Sequence, residues 1–166
     1  MIAHLLTNQV FVMGTNADGF HGAGGAGFAC RGDSRNTWRE DPWFLAAIKA
    51  PVGSPERVGK WAVFGVPRGL QVGREGMSYG IQTIVRPGWK RSMPLAEIQN
   101  QLVALFEFAK SHPQLEFLMT PVGAGLSGWS DADMNRCFLS ATATFGGVLP
   151  ANIKIPTNLY GNPQWK

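Results

Sequence analysis

The segment from Gln9 to Cys30, QVFVMGTNADGFHGAGGAGFAC, constrains this chain more than any other. A β-branched and aromatic run, Val10-Phe11-Val12-Met13, stops at Gly14-Thr15-Asn16. Six glycines fall from Gly14 through Gly27, interleaved with Asp18 and His21. A helix follows, from about Ala23 into Arg31. A strand that feeds a glycine-rich loop and then a helix N-terminus is built to hold an anion. Glycine lets the backbone approach a ligand closely, and the free N–H groups and the helix dipole favour negative charge. A flexible turn is the plain alternative, but a turn does not require so many glycines beside Asn, Asp and His.

The remaining composition narrows the class. A chain of 166 residues is expected to form one domain, residues 1–166, with a real core. With 45% hydrophobic and 16% charged residues it is globular rather than disordered. The net charge of +4 suits an anionic ligand such as a nucleotide. It is also compatible with nucleic acid, but no Lys- or Arg-rich block requires that partner. Cys30 and Cys137 lack metal-ligand spacing, so no metal and no resident cofactor is expected, and no exported disulfide scaffold. The first residues lack the basic and apolar regions of a signal peptide, and no apolar run approaches the roughly 18 residues of a membrane helix. The expectation is a cytoplasmic protein without a membrane partner.

Strands alternating with helices predict an α/β layer fold. Beyond the first strand, Lys60–Val66 and Ser78–Val85 read as strands, with Gly69–Gly76 as a turn between them. Leu95–Lys110 is the clearest helix, with Ser92 as cap and an apolar face at Ile98, Leu102, Leu105, Phe106 and Ala109. Leu115–Thr120 reads as a strand, followed by a second glycine-rich loop, Pro121–Gly128. Asp131–Phe138 reads as a helix capped by Ser130. Residues 35–59 are hard to assign, and 149–166 form a Pro- and Asn-rich irregular tail. Both glycine loops follow strands and precede helices. In such folds ligands sit at the carboxyl ends of the strands, so both loops are expected to line one cleft.

Gly22-Ala23-Gly24-Gly25-Ala26-Gly27 matches G-x-G-x-x-G. Two features argue against a dinucleotide-binding domain of the usual kind: Thr15–His21 separate the glycines from the strand, and Arg35–Arg39, before Glu40 and Asp41, is no buried strand. The phosphate-loop pattern fails because no Gly-Lys-Ser/Thr follows.

The sequence Val-Phe-Val-Met-Gly-Thr-Asn16, then Gly19-Phe20-His21-Gly22-Ala23-Gly24, resembles the first ligand loop of macro domains. Pro121-Val122-Gly123-Ala124-Gly125-Leu126-Ser127-Gly128 resembles their phosphate-binding loop. Ser78-Tyr79-Gly80-Ile81-Gln82-Thr83 and Phe108-Ala109-Lys110-Ser111-His112-Pro113 complete a likeness to uncharacterised macro-like proteins of bacteria and their phages. The likeness covers about 9–34 and 60–140 and makes 35–59 an insertion. It implies a macro domain-like three-layer fold with a mixed central sheet, and ADP-ribose or a related NAD-derived adenine dinucleotide metabolite as ligand. Gly14, Thr15, Asn16, Gly22, Ala23, Gly24 and Gly25 would meet the distal ribose. Val122, Gly123, Ala124, Gly125, Leu126, Ser127 and Gly128 would hold the diphosphate. Gln9-Val10-Phe11-Val12 supplies no acidic residue of the kind that reads adenine in the ordinary macro domain.

Three polar residues of the first loop are catalytic candidates. Asn16 is either a turn residue or a contact to a ribose hydroxyl or a positioned water. His21 is either a loop histidine satisfying the backbone or a general acid/base. Asp18 reads first as an Asx-turn former and second as a base. Their clustering tilts the reading towards hydrolysis of an ADP-ribosyl bond. The alternative is a non-catalytic module that senses or sequesters the nucleotide. Arg86, Lys90 and Arg91 read first as solvated surface and second as a source of one residue that holds a phosphate or assists catalysis, and one of the loop tryptophans, Trp38, Trp43, Trp61 or Trp89, is a candidate to stack on a nucleobase.

Overall fold

The computed structural model describes residues 4–122 and 127–156. Five strands form one mixed sheet: β1 (Gln9–Asn16), β2 (Gly69–Val72), β3 (Met77–Ile84), β4 (Glu116–Leu118) and β5 (Ile153–Lys154), in the order β2-β3-β1-β4-β5. β2 pairs antiparallel with β3 at one edge, and the other pairings are parallel. Four α-helices accompany them among the described residues: α1 (Gly24–Arg31), α2 (Pro42–Lys49), α3 (Leu95–Ser111) and α4 (Asp131–Phe145). The fold is α/β, as the alternation of elements predicts.

The central strand β1 is buried on both faces, so it reads as a continuous apolar run. Successive side chains alternate across the sheet. Val10 and Val12 join the core formed with Ile98, Leu102, Leu105 and Phe106 of α3 and Phe138 of α4. Phe11 and Met13 join a smaller core with Ala26, Ala29 and Cys30 of α1 and with Trp61. Cys30 and Cys137 therefore belong to cores on opposite faces, and both are free buried thiols. The chain leaves β1 towards α1 and leaves β3 towards α3, on opposite sides of the sheet. That divergence opens a crevice at the strands' carboxyl ends.

Several expectations need correction. Lys60–Val66 is no strand; it makes one isolated bridge, Val58 to Val63. Its amides at Lys60 and Trp61 donate instead to the Cys30 and Ala29 carbonyls at the end of α1. The apolar pattern there reflects Trp61 and Ala62 sinking into the α1-side core. The expected turn at 69–76 contains β2. Ser92 does not cap α3: Pro94 holds the N-cap position, and the Ser92 hydroxyl accepts from the Val85 amide at 2.8 Å. The Ser130 cap is present as a full capping box with Asp133, but α4 runs to Phe145, beyond the expected Phe138. Part of the expected irregular tail forms β5; residues 157–166 lie outside the described residues. No helix among the described residues is long and apolar enough to cross a membrane.

Candidate functional site

A cleft of about 710 Å³ lies at the carboxyl ends of β1, β3 and β4, within the range of small-molecule sites. Gly14, Thr15 and Asn16 enter it from β1, Thr83 and Ile84 from β3, and Thr120, Pro121 and Val122 from the segment after β4. Phe20, Gly22, Ala23, Gly24, Gly25 and Ala26 contribute the first loop and the start of α1. Ser127 lines the cleft from the second loop. The ends of both glycine loops thus share one crevice; Gly123, Ala124, Gly125 and Leu126 lie outside the described residues. Gly128 is described but is not part of the lining.

The register of β1 against β3 slips between Thr15 and Asn16, so that Asn16 pairs with Ile84. Irregularities of this kind re-aim a strand end beside a site. The Asn16 amide is committed to its own loop: Nδ2 donates to the Phe20 carbonyl at 3.0 Å, and Oδ1 accepts from the Phe20 amide at 2.9 Å. Asn16 lines the cleft while clamping the loop that covers it. Asn16→Ala is expected to destabilise the fold by about 2 kcal/mol, because both Phe20 backbone groups lose their partner. Asn16→Asp keeps the acceptor but sets a carboxylate oxygen against the Phe20 carbonyl, so it is expected to lose at least as much; chemical denaturation of the two variants measures both.

The other two catalytic candidates stand elsewhere. Asp18 is exposed and does not line the cleft. His21 is fully buried behind the loop and does not line the cleft either. Neither of its ring nitrogens has a hydrogen-bond partner, although the Val63 and Val66 backbone and the Gln71 side chain face it. Burial pushes its pKa down to about 4. In the sequence His21 sits among polar loop residues, but its neighbours Phe20 and Gly22 line the cleft and the imidazole does not.

Residues 35–59 supply part of the cleft: Asn36, Trp38 and Arg39 line it. Trp38 is a stacking candidate from the sequence, whereas Asn36 and Arg39 are not. Asp41 caps α2, its carboxylate accepting from the Phe44 amide at 3.1 Å, and Pro42 occupies the first turn. Phe44 is fully buried and meets Phe20, Trp38 and Phe64 at centroid distances of 5.3, 5.6 and 5.5 Å. Phe20 and Trp38 meet edge-on at 4.9 Å, so the segment docks on the ligand loop through aromatic packing. Pro87 and Gly88 complete the rim.

The start of α1 has unusual electrostatics. Ala23, at the N-cap, offers no side-chain cap, and the first turn holds no acidic residue. The Gly24 amide donates to the Ser34 carbonyl, but the Gly25 and Ala26 amides have no acceptor among the described residues. The Ser127 hydroxyl is also buried and unpartnered. Arg39 is the single charged residue of the lining among the described residues. No protein-family model matches this chain, and no curated protein matches it with significance. The site therefore has to be read from its own chemistry.

Proposed function

We propose that this protein binds ADP-ribose or a related diphosphate-bridged, NAD-derived nucleotide and holds it without hydrolysing it. The observation that carries the reading is the convergence of unpaired donors on one cleft. The Gly25 and Ala26 amides at the positive end of α1, the Ser127 hydroxyl and the Arg39 guanidinium all suit a diphosphate. The likeness of both loops to those of macro domains supports the same ligand, although it implies the distal ribose rather than the diphosphate at Gly25. The binder reading is favoured over the hydrolase because the described lining contains no Asp, Glu, His, Lys, Cys or Tyr to move a proton near neutrality.

Gly25 sharpens the argument. Its neighbours are glycines for structural reasons: Gly24 has φ +63°, and a methyl on Gly22 would stand 3.0 Å from both Phe20 and Trp38. A methyl on Gly27 would stand 2.9 Å from the Gly22 backbone. At Gly25 the nearest atom would be 3.8 Å away, and φ is not positive. Glycine there weakens the helix by about 0.5–1 kcal/mol relative to alanine without a packing reason. An unhindered approach of a ligand to the backbone supplies the reason.

Calorimetry with ADP-ribose, cyclic ADP-ribose and NAD tests the reading. Saturable binding is expected, and no binding of any of them at about 1 mM would refute it. ADP-ribosylated protein, ADP-ribosylated DNA and O-acetyl-ADP-ribose are expected to stay intact under saturating protein; release of ADP-ribose would restore the hydrolase. Gly25→Glu separates binding from folding. A carboxylate in the first turn favours the helix by about 0.3–1 kcal/mol. It also repels the diphosphate, so a melting temperature at or above wild type is expected with at least about tenfold weaker binding, a loss of about 1.4 kcal/mol.

A further inference from the structure

The geometry points to Trp38 and Arg39 as a recognition element that takes the nucleobase by stacking, so that the cleft accepts purines without reading their edges. This rests on the nucleotide-binding reading above. Three observations carry it. Trp38 lines the cleft and is half-buried, its ring held edge-on by Phe20 and packed against Gly22, where an added methyl would stand 3.0 Å from it. The Arg39 guanidinium lies 4.3 Å from the Trp38 ring centroid, is exposed, and makes no ion pair among the described residues. Among the described residues the cleft lining also offers no carboxylate to accept from an exocyclic amine.

An exposed cation–π contact is weaker than a base stacked on an indole, so a base displaces the guanidinium from the ring. Arg39, once displaced, has five donors free for the neighbouring diphosphate. Every base has a π face, so stacking tolerates a change of base, whereas edge hydrogen bonds do not. The ligand class is therefore a nucleoside diphosphate-ribose, with the diphosphate and the stack as the recognised features and purines favoured by their larger stacking face.

The test compares ADP-ribose, its hypoxanthine and guanine counterparts, and ribose 5-diphosphate by calorimetry. The protein variants are wild type, Trp38→Phe, Trp38→Ala and Arg39→Ala, each checked by thermal melting. Wild type is expected to bind the three purine ligands within about threefold of one another and ribose 5-diphosphate at least about tenfold more weakly. Trp38→Ala is expected to erase that gap, Trp38→Phe to keep most of it, and Arg39→Ala to weaken all four ligands together. Discrimination of adenine over guanine by wild type beyond about a hundredfold would overturn the inference and leave nucleotide binding standing. So would equal weakening of all four ligands by Trp38→Ala, which marks a scaffold role. Failure of wild type to bind any of the four would overturn the nucleotide-binding reading itself, and this inference with it.

Discussion

Gly19→Ala is expected to destabilise the protein by about 4 kcal/mol, among the largest effects a single methyl group produces. Gly19 has φ +62°, a conformation that disfavours any side chain. The added methyl would also stand 2.5 Å from the backbone carbonyl carbon of Gly65 and from the amide nitrogen of Val66. Neither obstacle is a flexible side-chain tip, so the two backbone segments must part. That separation breaks the bond from the Gly65 amide to the Gly19 carbonyl, 3.0 Å long, which fastens the ligand loop to residues 63–66. Gly53→Ala is the control. Gly53 has φ +85° with nothing within 4 Å of the added methyl, so it isolates the backbone preference at about 1 kcal/mol. Denaturant midpoints for both variants give the difference, and equal losses would show that the close approach at Gly19 carries no weight.

The contact between Gly19 and residues 63–66 also shows where the sequence was legible. Elements whose pattern arises locally could be read directly. β1 carries an apolar run, β3 places Tyr79, Ile81 and Thr83 at every second position, α3 has a 3.6-residue apolar stripe, and Ser130 announces α4 through its capping box. The convergence of the two glycine loops followed from a rule about strand ends. The misreadings have tertiary causes. Residues 60–66 look strand-like because Trp61 and Ala62 are buried, yet their backbone bonds go to α1. β2 looks like a turn because only Gln71 of its four residues is buried. The Asp41-Pro42 pair carried a readable cap signal for α2, and it was passed over within a Trp-rich stretch. Trp38 is one of four loop tryptophans with a stacking signal, but nothing local singles it out or points to Arg39, because their position depends on Phe44 docking against Phe20. The sequence leaves His21 open between a backbone-satisfying loop histidine and an acid/base, since alternation in a glycine-rich turn has no fixed period that would say which way it points.

That buried imidazole gives the protein a stability that falls with acid before its carboxylates titrate. His21 holds its neutral form in the fold with a pKa of about 4, against 6.5 for the free group. Around the ring, Gln71 bridges the 63–66 segment: its Oε1 accepts from the Val63 amide at 2.8 Å, and its Nε2 donates to the Val66 carbonyl at 2.6 Å. These groups are neutral, and desolvation outweighs them as the cause of the shift. Below pH 6.5 the unfolded chain binds a proton that the native state refuses. The stabilising contribution is complete above the unfolded pKa and disappears as pH falls to about 4, at about 1.4 kcal/mol per pH unit. The total loss is about 3 kcal/mol. Asp33 and Asp133 have pKa values lowered by hydrogen bonds, with Arg35 and Ser130 as the first partners, so their contributions fall away only below the ordinary carboxylate range. The window from 6.5 to 4 therefore belongs to His21. Urea unfolding across that window is expected to show the full slope for wild type and little of it for His21→Met, whose side chain fills a similar volume without orphaned nitrogens. The variant is expected to match wild type at pH 7.5 and to exceed it at pH 5; an unchanged slope in His21→Met would assign the acid sensitivity to another group.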